Sequence, residues 1–457
     1  MRILSRRDRY KGVFIQEYII DWGVPLYQRP QHIATALGRL GYLVIYKTPG
    51  AVDIVHGFRE VAKNVWVTND FTEEIKGAVL SLYSTAYGIA DQIVENGVHG
   101  NETFVYEYID HVSSMISGGD ENVRKLIRLK RFAFQKADFV VASARQLEQE
   151  AVKELGRDKV VYIPNGVDVS HYRDPLHRET ELPESLTGFR KKYQTLVGYF
   201  GAIAPWLWYS MLDELVKLRP HTGFVFIGPD YHGGVLKLPQ APNFLHVGFV
   251  EYARLPAHAR LFDVCMVPFA PGEIARTTSP LKLFEYFALE KPVVVTSFMD
   301  ECVAYSEVFS GDSAHSISSA IDAAVKVKDE PGFKARLALL ADRNSWDERA
   351  RAYETIFSMR DQGSAARSHP EYPLSHVQHL IVNCYDQDGK KGTYYETAYS
   401  KQEYFYWQPV LDWIMEMPSI SSLIDIGAAY GTLMVFSALN KKTKTLHAID
   451  PVGYMSE

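Results

Sequence analysis

TTSPLKLFEYFALEKPVVVT, residues Thr277 to Thr296, holds a helix start, an amphipathic helix and a short apolar strand in immediate succession. Three hydroxyl residues, Thr277, Thr278 and Ser279, precede Pro280. Proline suits a first helical turn, where the missing amide costs nothing, and hydroxyls before it suit the cap. The spacing predicts a helix over about Pro280 to Leu289, then a strand in the β-branched run after Pro292. The helix start presents free backbone amides and a partial positive charge, which suits an anion such as a diphosphate. Lys282 adds a full charge one turn in, and Glu285 lies on the same face a turn further on. A capped surface helix with solvated charges is the alternative.

The same strand and helix rhythm runs outward from this stretch in both directions. GVFIQEYII (from Gly12), the helical QHIATALGRLG (from Gln31) and YLVIYKT (from Tyr42) open it. AVLSLYST, TFVYEYID, ADFVVASA and KVVYIPNGVD continue it, with helices at about Asn122 to Lys136 and Gln146 to Leu155. Residues Pro175 to Tyr193 are polar, carry prolines and break the period. A second series, TLVGYFGAI, FVFIGP, NFLHVGFV, DVCMVPFA and KPVVVTS, follows with helices between its strands. The expected fold is therefore α/β: two doubly wound, Rossmann-like domains, residues 1–190 and 191–361, facing a cleft. In such sheets ligands sit at the carboxyl ends of the strands, which points to the loops holding Gly201, Gly228 and Val250. The long helix in NSWDERARAYETIFSMRD is placed to return to the first domain, and residues 362–375 read as a linker.

The composition bounds what the chain does. Its 457 residues are 47% hydrophobic and 23% charged, which fits a globular protein. Apolar runs are strand-sized and short of the ~20 residues that span a bilayer, and no secretory signal opens the sequence. A cytoplasmic location is expected, with peripheral contact at the inner face of a membrane left open. A net charge of -6 gives no reason to expect a nucleic-acid partner. Cys265, Cys302 and Cys384 are far apart and form no CxxC pair, so neither a disulfide framework nor a structural zinc site is expected.

Three stretches together resemble a known family: DWGVPLYQRPQHIA from Asp21, VYIPNGVDVSHY from Val161, and the Thr277 to Thr296 stretch. They are similar to the retaining family-4 glycosyltransferases of the GT-B fold, especially bacterial-type enzymes that build surface polysaccharides. The resemblance covers about Gly12 to Asp361. It implies a nucleoside-diphosphate sugar (UDP or GDP) as donor substrate, a glycan or lipid-linked acceptor, retention of configuration, and Glu285 as the ribose-binding acid. The sequence departs from the family twice. Thr277 stands where many members carry an earlier glutamate, with Glu273 out of register, so contacts to the transferred sugar fall to backbone amides. GYFGAIAPWLWYS, from Gly198, lacks the family's basic pair, leaving Arg276 and Lys282 to neutralise the leaving diphosphate. No DxD pair stands at a strand end, so neither metal nor cofactor is expected for the transfer. Asp21, Trp22, Gln28 and Arg29 are acceptor-side candidates, although Gln28 and Arg29 equally suit capping of the next helix. His111 is either a polar contact near the reaction centre or structural.

The C-terminal region, 376–457, carries a second signal. LIDIGAAYGTLMVFSA places Asp425, Gly427 and Gly431 on a strand-to-helix turn, and HAID puts Asp450 at the next strand end. This resembles motif I of class I S-adenosylmethionine methyltransferases. The expectation is an incomplete Rossmann-like segment, the start of a methyltransferase domain that would use S-adenosylmethionine only if complete. Two other readings compete: a methyltransferase whose first part merely binds a glycan, and an inactive lectin-like scaffold.

Overall fold

The computed structural model describes residues 8–24, 27–71, 75, 77–98, 103–117 and 119–361, and in the last part residues 410–411, 414, 420–426, 437 and 443–449. The chain divides into two compact units, Met1–Asp361 and Gln362–Glu457.

The first unit holds two sheets. One is built from β1 (Val13–Gln16), β2 (Leu43–Lys47), β3 (Arg59–Ala62), β4 (Val65–Thr68), β5 (Val79–Tyr83), β6 (Thr103–Tyr108), β7 (Phe139–Ala142) and β8 (Val160–Tyr162), in the order β3-β4-β2-β1-β5-β6-β7-β8. All neighbours are parallel except the β3 and β4 hairpin at the edge. The other consists of β9 (Thr195–Phe200), β10 (Thr222–Ile227), β11 (Phe244–Gly248), β12 (Val264–Val267), β13 (Val293–Thr296) and β14 (Val308–Gly311), in the order β11-β10-β9-β12-β13-β14, parallel throughout. Each order reverses direction beside its first strand, and that switch point opens a crevice at the carboxyl ends. The central strands β1, β5, β9 and β12 are buried nearly end to end, as helices on both faces of a parallel sheet require.

The helix Trp346–Asp361 crosses back to the first sheet. Trp346, Ala350, Tyr353, Ile356 and Phe357 join a core with Phe14, Leu37, Tyr42 and Val44. Phe357 stacks on Tyr42 with ring centroids 4.4 Å apart, and the Tyr42 hydroxyl donates to Glu354 at 3.2 Å. A fully buried aromatic such as Trp346 contributes on the order of 2–3 kcal/mol through apolar burial. The two lobes are thus tied by the chain crossing near Asn165 and by this returning helix.

In the second unit, strands Ile420–Ile426 and Thr443–Ile449 pair in parallel, with Asp425 opposite Ala448. Gly427, Gly431 and Asp450 lie outside the described residues.

Candidate functional site

Two glycine turns meet a helix start at the carboxyl ends of β9 and β10. Gly201 follows β9 and Gly228 follows β10, with φ of 139° and 152°. A Cβ on Gly228 would fall 1.8 Å from the Gly201 carbonyl oxygen, and one on Gly201 would fall 2.8 Å from Lys282 Cε. Only glycine allows so close an approach of two backbones and a lysine. Facing them is the helix Leu281–Ala288, with Pro280 in the cap position. Its first amides have no acceptor within the helix and point along the axis toward the glycine turns' end of the sheet. Asn165, on the crossing between lobes, sets this helix start: its side chain donates to the Ser279 carbonyl at 2.5 Å and its amide donates to the Ser279 hydroxyl at 3.2 Å.

Lys282 and Glu285 lie on one face of that helix. Lys282 is half-buried, its ammonium 5.4 Å from the centre of the Tyr199 ring and 5.5 Å from that of Phe269. Burial lowers its pKa, and the nearby Glu285 carboxylate opposes the shift. Glu285 is 7% exposed. Burial pushes its carboxyl up, opposed by the adjacent Tyr172 hydroxyl and by Lys282. The approach of Tyr172 is not a well-directed hydrogen bond, because the hydroxyls of Tyr172 and Tyr252 are both buried without a partner. A buried hydroxyl left so costs about 1–3 kcal/mol, which a polar ligand at Glu285 would relieve.

A cavity of about 390 Å³ opens between the lobes here. The second lobe contributes Gly201, Gly228, Val250, Tyr252, Thr278, Ser279, Pro280, Lys282 and Glu285, with an aromatic end of Trp206, Tyr231, Phe249 and Phe269. The first lobe contributes Tyr27, Gln28, Arg29, Ile109 and Asp110. Gln28 sits at the cap of the helix Arg29–Leu40, its backbone amide donating to Gln31 Oε1 at 3.1 Å, and it also lines the cavity. Arg29 is 3% exposed and pairs with Glu107 at 3.3 Å, while the Tyr353 hydroxyl donates to the same carboxylate. Arg29 also donates to the Pro164 carbonyl at 3.1 Å and to Asn165 Oδ1 at 3.2 Å. One buried network therefore runs from the returning helix through Glu107 and Arg29 to Asn165 and the Ser279 helix start.

Five of the candidate residues do not line this cavity. Arg276 is half-exposed and paired with Glu273 one turn back on its own short helix, Glu273–Thr277, so its charge is engaged away from the cleft. Thr277 is buried, and its hydroxyl returns to the Glu273 carbonyl at 2.7 Å, a bond within the helix. Asp21 holds the loop after β2, accepting from the amides of Gly50 at 2.8 Å and Val52 at 2.6 Å. Trp22 packs edge-on against Tyr27 and Tyr46. His111 is not among the residues that line the cavity, whereas the residue before it, Asp110, is. Asp110 and Tyr252 were both missed. The signal for Asp110 was its position just past the carboxyl end of a parallel strand, one residue from the histidine chosen. Nothing local marked Tyr252.

Among the described residues, no group of three or more His, Cys, Asp or Glu side chains is arranged to hold a metal ion, and no helix is long and apolar enough to cross a membrane.

Two parallel-sheet lobes facing one ligand cleft define the GT-B fold. No protein-family model matches the chain. In sequence it is 27% identical, over 258 residues, to the provisionally assigned teichuronic acid biosynthesis glycosyltransferase TuaH of Bacillus subtilis (strain 168). That alignment takes in 53% of this chain and 64% of TuaH, so the chain spans a little under two thirds of that relative's length. Among solved structures it is similar to an alpha,alpha-trehalose-phosphate synthase (UDP-forming) from Burkholderia vietnamiensis, at 12% identity and a TM-score of 0.56, covering 76% of this chain and 100% of that one. Sucrose-phosphate synthase from Thermosynechococcus elongatus matches at 14% identity and a TM-score of 0.52, covering 77% and 98%. Anabaena Alr3699/HepE in complex with UDP and glucose matches at 14% identity and a TM-score of 0.50, covering 76% and 99%. At these identities the structural matches bear on the fold.

Proposed function

We propose that this chain is a glycosyltransferase that moves a sugar from a UDP-sugar to a glycan or lipid-linked acceptor in the assembly of a surface polysaccharide. One observation carries the reading: Gly201, Gly228, the Leu281–Ala288 helix start, Lys282 and Glu285 converge on one wall of the cleft between the lobes. The glycine turns leave room for a diphosphate. The helix amides and Lys282 stabilise the negative charge that develops as the diphosphate departs, where a water-poor site makes each interaction stronger. Glu285 accepts from the two ribose hydroxyls, and the free hydroxyl of Tyr252 offers a further contact. The likeness in sequence to TuaH supports the polysaccharide setting, and the UDP named with two of the structural relatives supports the base.

The reading requires no metal ion, and the family resemblance implies retention at the anomeric carbon. The test is a thermal-shift panel of UDP, GDP, UDP-glucose and GDP-mannose, repeated with EDTA. UDP and its sugar should raise the melting temperature with or without the chelator. A panel in which no nucleoside diphosphate shifts it would remove the reading, and a shift by GDP alone would reassign the donor.

A further inference from the structure

Three rings line one end of the cavity: Trp206 in the loop after β9, Tyr231 in the loop after β10 and Phe269 just past β12. Trp206 touches both others, with ring centroids 5.7 Å from Tyr231 and 6.4 Å from Phe269. Backbone bonds stitch the three loops together. The Ile203 amide donates to the Pro229 carbonyl and the Tyr231 amide to the Ile203 carbonyl, both at 2.9 Å, and the Ala270 amide donates to the Trp206 carbonyl at 2.8 Å. His232 packs edge-on against Tyr231, with centroids 4.3 Å apart. The rings are thus held before any ligand arrives, which reduces the ordering cost of binding.

What these rings meet follows from the order of groups along the cavity. Glu285 lies one turn further into the helix Leu281–Ala288 than Lys282. The Lys282 ammonium is 5.5 Å from the centre of the Phe269 ring, which in turn touches Trp206. A donor with its ribose at Glu285 and its diphosphate at Lys282 and Gly201 therefore continues toward Phe269 and Trp206. The group bonded to the far phosphate is the sugar, whereas the base leaves the ribose on the other side. Thr277 does not line the cavity, its hydroxyl being returned to the Glu273 carbonyl.

We propose that Trp206, flanked by Tyr231 and Phe269, is the platform for the transferred sugar, a pyranose that lays one C–H face on the indole. This rests on the UDP-sugar reading of the same cleft. A pyranose of gluco or galacto configuration carries its hydroxyls around the rim and presents bare C–H groups on at least one face. Stacking that face on an aromatic ring removes apolar surface of both from water and leaves the rim hydroxyls free for polar partners. Tryptophan suits the task because it offers a large, rigid surface with only two side-chain torsions to fix.

The experiment is calorimetric titration of the full chain with UDP, UDP-glucose, UDP-galactose and UDP-N-acetylglucosamine, for the wild type, Trp206→Ala, Trp206→Phe and Tyr231→Ala. At least one UDP-sugar should bind the wild type about tenfold more tightly than UDP. Trp206→Ala should lose that gain while its affinity for UDP stays within about twofold, and Trp206→Phe, which keeps a ring, should retain about threefold of it. Tyr231 is 37% exposed, so Tyr231→Ala costs little packing and should narrow the gain without touching UDP. Variants that keep the full gain, or that weaken UDP and UDP-sugar by one common factor, overturn the platform and leave the donor reading standing, as does a wild type that gains nothing from any of the three sugars. A wild type that binds no UDP removes the donor reading, and the platform with it.

Discussion

Replacing Glu285 with glutamine isolates the contribution of one charge to donor binding. The substitution keeps the volume of a side chain that is 7% exposed, so no cavity forms and the helix Leu281–Ala288 keeps its packing. What is lost is the carboxylate that accepts from the ribose hydroxyls, and a hydrogen bond to a charged group is worth about 1.5–3 kcal/mol. At about 1.4 kcal/mol per tenfold, UDP should bind roughly 10- to 150-fold more weakly. Burial raises the Glu285 pKa, so the wild type must ionise the acid to bind ribose. Wild-type affinity should therefore weaken as the pH falls through that raised value, whereas the glutamine variant should show a flat profile. Calorimetry with UDP and, separately, with inorganic pyrophosphate gives the measurement. Pyrophosphate has no ribose, and its affinity should be the same in both proteins within about twofold. An unchanged UDP affinity, or an equal loss for pyrophosphate, would refute the assignment of Glu285 to ribose.

Lys282→Ala should lower turnover by a larger factor than it lowers UDP affinity, because the charge it faces grows toward the transition state; equal losses in both would point to ground-state binding. His32, which does not itself line the cavity, supplies a stability test. It is 4% exposed, stacks on Trp346 with centroids 4.9 Å apart, and burial pushes its pKa down to about 3. A depressed histidine pKa means that the unfolded chain takes up the proton first. Stability present above the unfolded value of about 6.5 should then be lost as pH falls, by about 2 kcal/mol at pH 5. Urea unfolding at pH 7 and pH 5 reads this, and His32→Gln should lose less of its stability over that interval than the wild type does.

What could be read from the sequence was local. The alternation of short apolar runs with helical segments marked two parallel sheets, because strands covered on both faces must be apolar along their length. Pro280, Lys282 and Glu285 fall within two turns of one helix, so their relative placement follows from helical geometry. Gly201 and Gly228 fall just past strand ends, where a doubly wound sheet receives its ligand.

The rest depended on partners far away in the chain. Asp21 looked like an acceptor-side acid until Gly50 and Val52, from the loop after β2, supplied the amides that hold it. That Asp110 rather than His111 lines the cleft depends on the path of the turn after β6, where Ser84 and Ser143 hold the backbone of Ile109. The placement of Arg29 follows from Glu107 and Tyr353, the latter on a helix that lies beyond the whole second lobe in the chain. A charged side chain takes whichever opposite charge or dipole tertiary packing brings to it. The sequence by itself determined the elements and the helix that presents Lys282 and Glu285, and only the tertiary structure decided which polar groups remained free to meet a ligand, since that depends on which of their competitors folding had already paired.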